Sequence, residues 1–519
     1  MKSFRNCFIF IILLSSCGIF TKNSTLNDHK HNERDVIQFT ILQINDFYEI
    51  APFENGTLGG AARIATIRKK LLAENKNSLT VLAGDFLSPT LLGTLKWEGK
   101  SIKGRQMVDV LNKVGVDVVT FGNHEFDIDE TSLQNRINES TFDWVSTNVS
   151  QVKGSEYFPF KKEVNGQSVP IPKNKIISFK NTSGKEIRIG IVAPCLPANK
   201  VNYVHYDDIF ESVRNEIKKL EGQVDFILAL SHLTKEDDLK MAKMFPEINL
   251  ITGGHEHENM KYVVGKTILT KADANAKTVY VHRIRYQTKT KKSTIQSSLV
   301  KLDKSIALDG EVNVVVEKWK SIENKIVREM GFDPDQILIK LNEPYDAREI
   351  TIRNMPAPFC QMIGRSMSKA VPSADCAITN SGSVRVDDML KDNLSQYDIL
   401  RSLPFGGGFM EVDMKGSLLK KILDIGWNNK GSGGFLQWDN IRRNQDSEWY
   451  IRNTILETNK IYHVAISSFL MTGKEAGLDM LTPKNPDIVK VIEPNNEDPN
   501  DLRRDIRFCI IDYLKKGGR

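Results

Sequence analysis

Short apolar runs alternate with amphipathic segments along most of the chain. Runs dense enough for buried strands lie at 36–44, 79–83, 116–121, 187–192, 224–230 and 248–251. Between them, three- and four-residue apolar spacing predicts helices at 61–72, 105–113, 209–220 and 235–244. Such alternation predicts an α/β domain built on open sheets. Residues 264–303 are expected to be β-hairpin material, with alternation over 278–286 and a looser version over 294–302. Val312, Val315, Val316, Trp319, Ile322, Ile326 and Met330 then mark one long helix, with Gly331 as its cap. Composition shifts there, so residues 306–336 are expected to connect two units. The second, 337–519, is again mixed α and β.

The N-terminus follows a different rule. Lys2 and Arg5 precede an apolar run from Phe8 to Leu14, too short to span a bilayer in a mature protein. The run ends in Leu14-Ser15-Ser16-Cys17, which resembles a bacterial lipobox cleaved before an acylated cysteine. The expectation is a signal over 1–16, lipidation at Cys17, a polar tether over 17–35 and a catalytic unit over 36–305. The protein would then sit in the cell envelope, lipid-anchored to a bacterial membrane and facing the periplasm or cell surface.

Composition narrows the partners. The chain has 519 residues, is 40% hydrophobic and carries a net charge of +6. That is enough apolar material for two or three cores. The basic residues are scattered apart from Lys289, Lys291 and Lys292, which read as a solvated hairpin tip, so nucleic acid is not implied. Of six cysteines, Cys195, Cys360, Cys376 and Cys509 remain after Cys7 and Cys17, and they have no metal spacing. Cys360 and Cys376 are candidates for a bridge in an oxidising compartment.

The strand ends carry the chemistry. Asp46 closes the first strand, Gly84-Asp85 the second and Gly122-Asn123-His124-Glu125-Phe126-Asp127 the third. Ser231-His232 follows the fifth strand and Gly253-Gly254-His255-Glu256-His257 the sixth. Ligands of open α/β sheets sit beyond the carboxyl ends of strands, so these clusters would converge on one crevice. Carboxylate, amide oxygen and imidazole are donors for hard or borderline divalent cations, and Asp85 is the natural bridge between two of them. Alone, each cluster has a plainer explanation, such as a helix cap or a satisfied histidine. Four of the nine histidines fall in these clusters, and the joint pattern favours a metal site.

In this order, the motifs resemble those of calcineurin-like metallophosphoesterases. The segment GRQMVDVLNKVGVDVVTFGNHEFD narrows the resemblance to the 5′-nucleotidase / UDP-sugar hydrolase family, over residues 37–510. The resemblance implies a four-layer αββα sandwich, a connector helix and a mixed α/β substrate-recognition domain. It implies two divalent ions (Mn, Zn, Mg or Co), one on Asp46, Asp85 and His257, the other on Asp85, Asn123, His232 and His255. His124 would act beside the phosphoryl group, oriented by Asp127. Asn380 and Arg385 match the family's N-G-G-G-I-R segment, Phe405 its LPFG segment and Phe469 its second stacking position; Arg353 is a further anion-binding candidate. These residues would hold a small nucleotide-like phosphoester.

Two departures stand out. Most relatives have Asp-x-His where this chain has Asp46-Phe47-Tyr48. Tyr48 either coordinates as a phenol, hydrogen-bonds a metal-bound water or fills an imidazole's space. The aspartate of the family's NGGDG segment is replaced by Glu475, with Asp479 nearby. A cyclic nucleotide, a UDP-sugar or a sugar phosphate is therefore the alternative substrate, and a non-catalytic ligand-binding lipoprotein is the alternative of another class.

Overall fold

The computed structural model of the chain describes residues 34–53, 56–198 and 200–518. Cys17 and the predicted signal lie outside the described residues. The first unit holds two six-stranded sheets packed face to face. One has the order Lys292–Lys301, Thr278–Gln287, Val36–Ile44, Ser78–Leu82, Val118–Thr120, Asp143–Val145. The other runs Asn174–Lys180, Glu186–Val192, Phe226–Ser231, Leu250–Gly253, Thr267–Lys271, Met260–Val264. Their central strands are parallel. Ile37, Phe39, Ile41 and Val81 of the first sheet interleave with Ile189, Leu228 and Leu250 of the second in one dry cluster. Helices cover the outer faces, which gives the four-layer αββα sandwich.

Helix limits follow the local chemistry. Asp208 and Thr234 cap the Ile209–Leu220 and Lys235–Met244 helices by accepting backbone N–H groups. Gly115, at φ 82°, ends the Arg105–Val114 helix in the left-handed region. Strand limits move more. The predicted 116–121 strand is only Val118–Thr120, because the following residues turn toward the site rather than pair.

The long helix is Gly310–Glu329, shorter than the 306–336 connector expected. It packs on the first unit, where Trp319 meets Trp97 edge-on at 5.4 Å and donates Nε1–H to Asp109 at 3.2 Å. Beyond it, Phe332 stacks on Phe508 of the terminal helix at 4.2 Å. The second unit has a five-stranded sheet, ordered Leu436–Asp439, Cys376–Asn380, Ile461–Ser467, Phe409–Lys415, Ile488–Ile492. Cys360 and Cys376, the candidate pair for a bridge, are both free and buried. Cys360 belongs to the cluster beneath one face of that sheet and Cys376 to the cluster beneath the other.

A buried cation locks the second sheet below its strand ends. Lys271, fully enclosed, pairs with Asp238 at 2.8 Å and with Glu256, and donates to the carbonyls of Leu233 and Gly254 at 2.7 Å each. Burial opposes its charge, but Asp238 and Glu256 raise its pKa. Replacing Lys271 by Met would strand Asp238 in the interior and is expected to cost about 3–5 kcal/mol in denaturant unfolding. A loss under about 1 kcal/mol would mean that the carboxylates simply take up protons.

Candidate metal centre and interdomain cleft

The parallel strands deliver their C-terminal ends to one seam between the two sheets. Asp46, Asp85, His255 and His257 all have positive φ, at 49°, 56°, 90° and 60°. For residues with a Cβ this backbone is costly and persists where surroundings enforce it, as at functional sites. Close approach is enforced at two glycines. A Cβ on Gly122 would lie 2.1 Å from Asp85 Oδ1, and one on Gly84 would lie 2.5 Å from Gly122 N.

Two overlapping donor groups result. Asp46, Asp85 and His257 each present a ligand atom within 4.8 Å of the others, a group able to hold a cation. Asp85 also meets a second group: His232 Nε2 lies 3.2 Å from its Oδ2, and the His232 and His255 rings meet edge-on at 5.6 Å. Asn123 is buried, and its Oδ1 has no hydrogen-bond partner among the described residues, as expected of an atom reserved for a ligand. This donor set fits two divalent ions sharing Asp85. All six residues expected as ligands are thus gathered at the seam.

The site's electrostatics follow from the crowding of carboxylates and imidazoles, and ion binding there would have to displace protons from His232 and His257. Burial opposes charge on Asp85, yet His232 and His124 hold it well below the usual carboxylate range. Burial raises Asp46. The His232 imidazole, despite burial, is raised by Asp85 to about 9, and His257 by Asp387 and Asp46 to about 10. Burial and the nearby His232 push His255 well down, leaving it neutral and fit to ligate. His232 Nδ1 is fixed by the Ala83 carbonyl at 2.7 Å, which points Nε2 at Asp85.

Tyr48 stands inside the first group. Its hydroxyl donates to Asp85 Oδ2 at 2.9 Å and lies 3.0 Å from His257 Nε2. Burial and the Asp85 and Asp46 charges raise its pKa well above 10, so the phenol keeps its proton. It therefore presents a neutral oxygen to the group formed by Asp46, Asp85 and His257. Asn275 fixes its loop by accepting from the backbone N–H of Tyr48 at 3.0 Å and of Glu49 at 3.1 Å.

His124 is oriented as expected, with Nδ1 2.6 Å from Asp127 Oδ2. Burial lowers its pKa, but Asp127 and Asp85 outweigh this and raise it. Its neighbour Glu125 has a role that strand-end logic does not reveal. The buried carboxylate accepts from the backbone N–H of Asp85, Phe86, Leu87 and Gly122 at 2.8, 2.7, 3.0 and 2.6 Å.

The second unit meets this seam. Arg385 and Asp387 line a cleft with Tyr48, His124 and His257. The other expected substrate residues lie farther along the second unit. Phe405 and Phe469, 53% and 44% exposed, flank the same end of the paired strands Phe409–Lys415 and Ile461–Ser467. Arg385 sits 5.6 Å over the Phe405 ring. Asn380 donates to Glu475 at 2.9 Å and accepts from Ser383 at 2.6 Å. Arg353 is paired with Glu349 and does not line the cleft.

The Tyr48→His variant is expected to bind the ion on Asp46, Asp85 and His257 about tenfold more tightly, because imidazole is a stronger donor than a neutral phenol. Competition with a chromophoric chelator reads this affinity. An unchanged value would place Tyr48 outside the ligand sphere.

Comparison with known proteins agrees with this geometry. Residues 39–259 match the family model of calcineurin-like phosphoesterases, and residues 339–483 match that of the 5′-nucleotidase C-terminal domain. Bovine (Bos taurus) 5′-nucleotidase is 25% identical over 479 residues, spanning 82% of this chain and 79% of that protein. The trifunctional nucleotide phosphoesterase protein YfkN of Bacillus subtilis is 25% identical over 427 residues, covering 76% of this chain but only 28% of that protein. The crystal structure of a 5′-nucleotidase precursor from Thermus thermophilus shares the fold, with a TM-score of 0.69 at 19% identity over 92% of this chain and 96% of its own. With both family models matched in order and together covering most of its length, the chain belongs to the 5′-nucleotidase family of calcineurin-like metallophosphoesterases.

Proposed function

We propose that this chain releases phosphate from nucleotide-like phosphate monoesters, with two divalent cations on the Asp46–His257 constellation. The observation that carries this is the shared cleft, where His124 and His257 of the first unit face Arg385 of the second. When bound, the ions supply Lewis-acid polarisation of the ester and an activated water. Everything else falls to the chain's own side chains. Asp127 holds Nδ1 of His124, which leaves Nε2 to give a proton to the departing ester oxygen. Arg385 offers a guanidinium to the phosphoryl oxygens. Phe405 and Phe469, both exposed at one sheet end, would offer their faces to a planar base.

A second reading rests on Glu475. Its carboxylate accepts from Asn380, so the sugar-facing wall differs from a simple aspartate grip. That favours keeping cyclic nucleotides, UDP-sugars and sugar phosphates as rival substrates. The deciding measurement is phosphate release with Mn²⁺ across nucleoside monophosphates and these rivals. Nucleoside monophosphates are expected to react fastest, and Asp85→Asn to lower the rate at least a hundredfold. Tight ligand binding with no turnover of any ester would instead mark a binding protein.

The Leu14–Cys17 pattern supports attachment to a bacterial membrane through acylated Cys17. Among the described residues no helix is long and apolar enough to cross a membrane. In a bacterial host, Cys17→Ser is expected to move the protein from the membrane to the soluble fraction, and continued membrane recovery would sink the anchor.

A further inference from the structure

The imidazoles of the centre take their orienting partners from different places. His232 Nδ1 is held by Ala83 and His124 Nδ1 by Asp127, both within the first unit. His257 Nδ1 instead meets Asp387 Oδ2, a carboxylate of the second unit. Both side chains are largely enclosed, with 13% and 17% of their surface exposed. The other oxygen of Asp387 accepts the backbone N–H of Glu349 at 2.7 Å, so the carboxylate is fixed from its own side as well. Asp387 itself sits at φ 39°, a backbone that a residue with a Cβ adopts at a cost. Two residues earlier, the same loop delivers Arg385 to the cleft. One residue later, Asp388 meets Lys277 of the first unit at 3.2 Å.

We propose that Asp387 is a positioning residue through which the second domain completes the metal position on Asp46, Asp85 and His257. With Nδ1 held by Asp387, Nε2 is the ring nitrogen left facing Asp46, 3.6 Å away, and is the atom that would ligate once an ion displaces its proton. A carboxylate behind a ligating imidazole fixes its tautomer and raises its basicity, and losing it typically weakens metal affinity about 10–100-fold. Here that carboxylate belongs to the other domain. Swinging the second domain away removes the partner of His257 and withdraws Arg385 in the same motion. By linkage, an ion at this position must in turn favour the docked arrangement of the domains. The other position draws on Asn123, His232 and His255, none of which depends on Asp387, so the coupling acts on one ion of the pair.

The assignment rests on the two-metal reading of the site, and the test separates the two. Mn²⁺ binding to the full chain is titrated for wild type, Asp387→Asn and Asp388→Asn, and X-ray scattering reports compaction on adding Mn²⁺. The expected result for Asp387→Asn is a roughly 10–100-fold weakening of one ion with the other unchanged, and loss of the Mn²⁺-dependent compaction. Asp388→Asn removes a charge pair from the same seam without touching His257, and is expected to bind both ions as wild type does. Equal weakening of both ions by Asp387→Asn, or an equal effect from Asp388→Asn, would reduce Asp387 to a generic seam contact and overturn the assignment. So would two wild-type affinities in Asp387→Asn. A wild-type chain that takes up no Mn²⁺ overturns the metal centre itself, and the assignment with it.

Discussion

Six donor groups from two sheets can share one seam only if the strand ends approach almost to contact, and the rest of this structure depends on that approach. Where Gly84 passes Gly122, neither position has room for a side chain, and the Asp85 carboxylate fills the gap. The left-handed backbone at Asp46, Asp85, His255 and His257 follows from the same crowding, because each side chain must double back toward the seam. The supports lie directly beneath. Lys271 ties the loops carrying His232 and His255, and the Gln43 amide bridges the sheets by donating to Gly253 and Thr270.

The two units divide the chemistry unevenly. The first carries every candidate ligand, and the second carries the groups proposed to hold an ester's charge and its aromatic part. Contact between them is local and chemically specific. Tyr397 of the second unit donates to Glu323 on the long helix at 3.3 Å, and Thr94 donates to the Pro404 carbonyl at 3.1 Å. Leu400 and Ile511 of the second unit are also buried in the first unit's apolar core, so the contact combines discrete hydrogen bonds and ion pairs with packed side chains.

Much of this was legible in the residues. The layered α/β class followed from alternation, and the Ile209–Leu220 and Lys235–Met244 helices match their patterns because their caps and apolar stripes agree. Asp46, Asp85, Asn123 and the histidines could be listed because each closes an apolar run. What stayed hidden involves partners distant in sequence. Glu125 reads as one more acidic residue in a polar turn, since the N–H groups it accepts belong to another strand's loop. Lys271 ends an ordinary strand, and no periodicity marks it as an enclosed cation. Asp387 touches a histidine 130 positions away. Strand limits drifted because pairing partners, not local preference, decide where a ladder stops.

The Glu125 cradle bears on how little a bound ion would have to contribute to folding. Four N–H groups converge on one enclosed carboxylate, so the loop bearing Asp85 takes its shape from the polypeptide's own hydrogen bonds. Small zinc domains are the opposite case, where the ion supplies the folding energy and its removal unfolds the chain. An ion bound beside Asp85 would then add to a loop that the chain's own hydrogen bonds already shape, rather than supply its folding energy.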